Sequence, residues 1–453
     1  MAEPISLWFE AALLPEGWSN HVRLSLADGL ICAVKSSTPR APGEPNHGIA
    51  IPGLCNLHSH AFQRGMAGLA ETSGPGGDDF WSWREVMYRF LDRLQPEDVQ
   101  AIAALAYVEM LESGFTRVGE FHYLHHGPDG IPYDGRAQMA EAIVEAAQES
   151  GIALTLLCCF YAHSDFGAQP PKPSQRRFIN SLDGFAELFA QSSSALRGLA
   201  DANIGIAPHS LRAVTPEELS QLLLLSSTAP LHIHAAEQIR EVEASRAYLG
   251  ASPVHWLIDH AGVDGRWCLV HATHMTPSEV IALARSKAVA GLCPQTEANL
   301  GDGIFPARDY LGAGGRFGLG TDSNILIDAA TELRGIDYAQ RLNLRRRNML
   351  AQGASSGRTL FDAALTGGAQ ALGVPGSGLA VGASADIVAL DAADVAITAR
   401  RGDPVLDGWI YAGRSTPIRS VWRRGRRVVT KGRHVARTQI ARRYRKILPR
   451  LMS

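Results

Sequence analysis

The chain has 453 residues, 46% of them apolar and 19% charged, with a net charge of −2. That much apolar material excludes a disordered chain, and the near-neutral balance excludes a globally basic nucleic-acid binder. Six cysteines without a C-x-x-C pair exclude a disulfide framework and fit a reducing, cytoplasmic setting.

Residues 1–48 read as short strands and turns, among them HVRLSLADGLICAVKSS. The first residues carry Glu3 and Glu10 and no basic stretch, which does not read as a signal peptide. Eight β-like runs then follow between about residues 49 and 322. They are GIAIPGLCNL, TRVGEF, IALTLLCCFY, ANIGIAP, PLHIHAA, WCLVHA, AVAGLC and RFGLGTD. They are continuous in Val, Ile, Leu and Cys rather than alternating, as strands buried on both faces of a parallel sheet are. The longest charge-free run, around Ile152 to Ala162, is too short to span a bilayer, so no membrane partner is expected.

Helical patterns separate these runs, over Pro96–Ser113, Gly135–Ser150, Pro216–Ser226 and Pro277–Ser286. Thr215 and Thr276 each precede a Pro and read as N-caps. Strand and helix repeated eight times predict an α/β fold, a TIM-like (β/α)8 barrel over residues 49–374. Residues 375–435 return to short strands. Together with residues 1–48 they predict one small β-sandwich domain that the barrel interrupts. A basic C-terminal segment, 436–453, closes the chain. From Arg419 to Arg450 there are 13 Lys or Arg and no Asp or Glu, which leaves the rest at −15. The expected reading is a solvated strand and helix, or a seam against that acidic remainder, rather than a nucleic-acid patch.

The chemistry lies where the histidines fall. His58 and His60 close the first run, His234 the fifth, His271 the sixth and Asp322 the eighth. Residues two apart on a strand point the same way, so His58 and His60 can face one point. Strand C-termini form one rim of a barrel, the rim where active sites sit. Three imidazoles and a carboxylate suit a zinc centre with room for water.

Taken together, H-x-H, His, His and Asp in this order resemble the amidohydrolase superfamily, as does the phrase GLAVGASADIVAL. The resemblance implies one divalent metal, Zn2+ as the expected ion, held by His58, His60, His234 and Asp322. Many members bridge two metals with a strand-four lysine. This chain has only five lysines (Lys35, Lys172, Lys287, Lys431 and Lys446), none at a barrel strand end, so such a bridge is excluded. Glu237, three residues after His234, resembles the acid of the mononuclear deaminases. Asp322 is then expected to take the water proton, Glu237 to protonate the leaving nitrogen, and His271 to steady the tetrahedral centre.

Substrate choice falls to the rim loops. The first, Ala61 to about Pro96, is long enough for a lid and offers Gln63, Trp81, Trp83 and Arg84. Phe121-His122-Tyr123 follows strand two, and His209-Ser210-Leu211-Arg212 follows strand four. Two arginines on different loops suit an anionic substrate. The phrases NLHSHAFQRGMAGLAE, FWSWREVMYR, EFHYLHH, HSLRAVTP and EANLGDGIFPARDYLGAGGRFGLGTDS are similar to the formimidoylglutamate deiminase family of histidine degradation, nearly end to end. That resemblance implies hydrolysis of N-formimidoyl-L-glutamate, a small dicarboxylate, to N-formyl-L-glutamate and ammonia, in a homodimer. It implies that Gln63, Arg84, Tyr123, His209 and Arg212 hold the substrate. Asn324 stands where that family sometimes has His. The competing readings are a purine, pterin or s-triazine deaminase, which Trp81, Trp83 and Tyr123 would serve by stacking, and, more remotely, a non-catalytic metal-binding scaffold.

Overall fold

A computed structural model describes residues 5–72, 77–353, 355–376, 378–413 and 417–452. Eight parallel strands close into a barrel: Leu54–Ser59, Phe115–His122, Ala153–Phe160, Asn203–Pro208, Leu231–Ala235, Trp267–His271, Val289–Leu292 and Arg316–Leu319. Strand one pairs with strands two and eight, which completes the ring. The helices Pro96–Ser113 and Pro277–Ser286 have the expected bounds. The helix expected from Gly135 starts at Gln138, and the one expected to reach Ser226 ends at Leu224. Thr215 and Thr276 cap as expected, and Glu218 and Glu279 complete each capping box.

The run expected as one first strand is two. Ile49–Pro52 belongs to the terminal sheet, and the barrel begins only at Leu54. Both halves are buried throughout, so hydropathy could not separate them. Gly53 makes the break, because a Cβ there would lie 2.3 Å from the Thr116 side chain.

The terminal strands form one eight-stranded sheet. In order it holds Arg433–His434, Arg426–Thr430, Ile418–Arg423, Ile387–Leu390, Ile49–Pro52, Ile5–Leu14, Gly17–Ala27 and Leu30–Lys35. Laid flat, Gly17–Ala27 would be roughly 19 Å from Ile418–Arg423, four strand spacings away. Yet Leu26 packs against Gly425, and the Ile31 N–H reaches the Ala383 carbonyl at 2.9 Å. The expected sandwich is therefore a single sheet curled round its own core of Phe9, Leu24, Ile387 and Trp422.

The basic tail is a seam. Helix Arg437–Met452 lies along helix Pro96–Ser113. Arg437 meets Glu109 and Glu112, each at 3.0 Å, while Arg443 pairs with Glu149 and Arg450 with Asp98. At the N-terminal end of the strands the Leu372 carbonyl accepts from Asn203 Nδ2 at 2.8 Å, and His232 Nε2 donates to the Ala371 carbonyl at 2.7 Å.

The long first loop carries structure of its own, a 3-10 turn at Ala61–Met66 and helix Phe80–Leu91, capped by Asp79. Residues 73–76 of that loop lie outside the described residues. Arg177, fully buried, anchors the end of this helix by donating to the carbonyls of Leu91, Leu94 and His126. Arg177→Met should cost about 3–5 kcal/mol, because three buried carbonyls lose a charged donor. Denaturant unfolding checks this, and a loss below about 1 kcal/mol would contradict it.

Candidate metal centre and active site

The strand ends bring the expected residues together. His58 Nε2 and His234 Nε2 are 3.1 Å apart. Asp322 Oδ1 lies 3.5 Å from His58 Nε2 and 3.3 Å from His60 Nε2. The ligand atoms of His58, His60 and His234 all fall within 4.8 Å of one another. His60 Nδ1 donates to the Phe121 carbonyl and His234 Nδ1 to the His209 carbonyl, each at 2.9 Å. A carbonyl only accepts, so in the neutral rings both Nε2 atoms carry bare lone pairs.

Burial keeps those rings neutral. It pushes His58 down to about 3 and also lowers His60 and His234. Burial opposes ionisation of Asp322, but the His58 hydrogen bond and the neighbouring imidazoles outweigh it and hold the carboxyl below its usual range. Inward lone pairs and a carboxylate in van der Waals range of each other repel unless a cation sits among them. Three nitrogens and one oxygen are a donor set that fits a single divalent ion, zinc above all.

The backbone at this rim is forced. Ala236, His271, Ala272, Asp322 and Asn324 take φ of 53°, 66°, 47°, 43° and 56°. Left-handed non-glycine residues cost roughly 1–3 kcal/mol each and persist only where surrounding structure over-determines them. Asn324 helps to do so. Its Nδ2 lies 3.2 Å from Ser59 Oγ and 3.1 Å from the His60 carbonyl, joining strand eight to strand one.

Beside this cluster His271 Nε2 is 3.7 Å from Glu237 Oε1 and 3.8 Å from Asp322 Oδ2. Burial raises Glu237 to about 7, against the pull of His271. Burial would lower His271, but Glu237, Glu297 and Asp322 raise it instead.

A cavity opens over the cluster. It is lined by His60, Gln63, Arg84, Tyr123, His209, Arg212, His234, Glu237, His271 and Asp322. His58 lies beneath, fully buried. Gln63 Nε2 donates to Tyr123 Oη at 2.9 Å, and Arg84 Nε to Tyr88 Oη at 3.1 Å. The Arg212 Nε is buried with no acceptor among the described residues.

Trp83 lines the cavity but Trp81 does not. Its indole is covered by Arg84, Arg212 and Arg240, with guanidinium carbons 5.2, 5.7 and 4.6 Å from the ring centre. Trp81 is thus a cation–π platform for arginines rather than a free stacking surface.

Three neighbours escaped the sequence. Glu297 Oε1 is 3.3 Å from His271 Nδ1. Asp302, bonded by Gln238, is raised by burial to about 9. Glu120 accepts from the Ala61 N–H at 2.7 Å and is raised by burial to about 8. Glu297 and Asp302 lie in the CPQTEANLGDG stretch after strand seven. A search for carboxylates beyond that strand end would have found them.

The description "Amidohydrolase family" matches residues 49–428. The chain belongs to the amidohydrolase family. Among amidohydrolases it falls with the formimidoylglutamate deiminases: residues 7–48 match "Formimidoylglutamate deiminase HutF, N-terminal domain". The chain is 48% identical over 451 residues to the formimidoylglutamate deiminase of Pseudomonas aeruginosa, covering 99% of each. It is 28% identical over 400 residues to a 5-methylthioadenosine/S-adenosylhomocysteine deaminase of Pelotomaculum thermopropionicum, covering 83% of this chain and 82% of the other. The crystal structure of an amidohydrolase from Brucella melitensis superposes with a TM-score of 0.96 at 50% identity, over 99% of this chain and 100% of that one.

Proposed function

We propose that the chain hydrolyses N-formimidoyl-L-glutamate to N-formyl-L-glutamate and ammonia, a step of histidine degradation. The observation that carries this reading is one cavity holding both a His/Asp metal set and two guanidinium groups, Arg84 and Arg212. A formimidoyl carbon is an amidine carbon, and glutamate carries two carboxylates. The similarity to the Pseudomonas aeruginosa enzyme supports the same substrate.

His58, His60, His234 and Asp322 would hold one zinc ion. Bound there, the ion would supply a Lewis acid able to lower the pKa of a water toward neutrality. Asp322 Oδ2 takes a proton from the attacking water as the water oxygen bonds to the amidine carbon and the carbon–nitrogen π pair moves to the terminal nitrogen. His271 Nε2 faces the same space and steadies the tetrahedral centre. Glu237 carries a proton to the terminal nitrogen; as its bond to carbon breaks and ammonia leaves, the hydroxyl oxygen closes the formyl carbonyl and gives its proton back to the Glu237 carboxylate. Gln63, Tyr123 and His209 orient the amidine, and the arginines take the carboxylates. Five of the six cysteines are buried, which supports a reducing, cytoplasmic setting, and among the described residues no helix is long and apolar enough to cross a membrane.

The arginines test the substrate class. Removing either guanidinium leaves a carboxylate unpaired in a partly closed site, at a cost of about 2–5 kcal/mol. In kcat/KM that is roughly 30- to 4,000-fold. Arg84→Met and Arg212→Met should each lose far less on the substrate lacking the matching carboxylate, formimidoylglycine or formimidoyl-γ-aminobutyrate. Equal loss on every substrate would mean the arginines only shape the lid.

A further inference from the structure

We propose that Glu297 is a positioning residue for this reaction, holding the His271 imidazole by its Nδ1–H so that Nε2 is presented to Glu237 and Asp322. The inference rests on the functional reading above and goes beyond it in assigning a role to a carboxylate outside the strand-end set.

The geometry is specific. His271 is 1% exposed, so its ring has no water to settle its orientation. Its Nδ1 faces Glu297 Oε1 at 3.3 Å, and its Nε2 faces Glu237 and Asp322. A buried ring with carboxylates on both sides can turn toward either of them, and only one orientation presents Nε2 to the substrate. A fixed acceptor on Nδ1 decides which.

Glu297 is itself fixed. It is 6% exposed, and its Oε1 also accepts the Cys293 N–H at 2.9 Å. Cys293 precedes helix Pro294–Leu300, on which Glu297 sits, so strand seven and that helix aim the carboxylate together. His271 closes its strand with a left-handed φ of 66°, a strained backbone that persists only where its surroundings hold it. His271, Cys293 and Glu297 also bring their ligand atoms within 4.8 Å of one another, but the Cys293 N–H and the imidazole already engage the carboxylate oxygen.

Glu297→Gln keeps the shape and an acceptor for Cys293 but removes the charge. In the metal-loaded protein it should retain its metal and a KM within about 3-fold, while kcat falls about 10- to 100-fold, the loss typical when the outer partner of a site imidazole is removed. Glu297→Asp, charged but withdrawn, should give an intermediate loss. Because Glu297 acts through His271, adding Glu297→Gln to His271→Asn should cost less than about 2-fold more. A second readout needs no turnover. The downfield imidazole N–H resonance that His271→Asn abolishes should move upfield or vanish in Glu297→Gln.

An unchanged resonance, or the full loss repeated in the His271→Asn background, would overturn the assignment. A wild-type protein that releases no ammonia from N-formimidoyl-L-glutamate would overturn the functional reading instead. The resonance would still decide whether Glu297 holds His271.

Discussion

His58→Ala should remove bound metal and turnover together. The His58 ring is fully buried and its Nε2 lies among the other ligand atoms, 3.1 Å from His234 Nε2 and 3.5 Å from Asp322 Oδ1. Of the four proposed ligands alanine leaves three, with an apolar gap where the fourth stood. A four-ligand site cut to three binds far more weakly, and metal should fall from about one equivalent per chain to near zero. Activity should fall to background. Thermal unfolding separates this from misfolding. Added zinc should raise the midpoint of the stripped wild-type protein, because it binds only the folded state, and should leave His58→Ala unmoved. Two equivalents in the wild type, with activity following the second, would contradict a single centre.

Glu237→Gln should do the opposite with the metal, keeping it while losing most of the turnover. The side chain sits 3.7 Å from His271 Nε2, yet it is outside the three-histidine group. Its carboxyl, lifted by burial to about 7, is poised to gain and release a proton near neutral pH. An amide of the same shape cannot. Groups of this kind contribute about 10²–10⁴-fold, so kcat should fall by that factor with KM little changed. Near-wild-type turnover with full metal occupancy would remove Glu237 from the mechanism.

The candidate site was legible because the groups proposed for its chemistry stand at strand ends. His58, His60, His234, His271 and Asp322 each close a run whose apolar character marks it as a strand, and the closed barrel brings those ends to one rim. Arg84 and Arg212 were legible as charges on rim loops, although Arg84 sits on a helix inside what looked like open loop. Glu297 was not, because it lies five residues past the end of strand seven, on a helix of its own. Side chains aimed by a loop and a helix turn leave no mark in strand periodicity. The first strand misled for a related reason: Ile49–Pro52 and Leu54–Ser59 are equally buried but in different sheets, and only the crowding at Gly53 separates them. For the basic tail the sequence left a solvated helix and a seam both open, and the contacts decide for the seam, since its charges face acids far away in the chain, at Glu109, Glu112 and Glu149.

The most direct test of the account is product identification with N-formimidoyl-L-glutamate and the metal-loaded protein. Attack at the amidine carbon with loss of the terminal nitrogen predicts one ammonia and one N-formyl-L-glutamate for each substrate consumed. Formamide and glutamate would mean that the other C–N bond breaks. No reaction, with ammonia released from guanine or another flat heterocycle instead, would contradict the proposed substrate and the role given to Arg84 and Arg212.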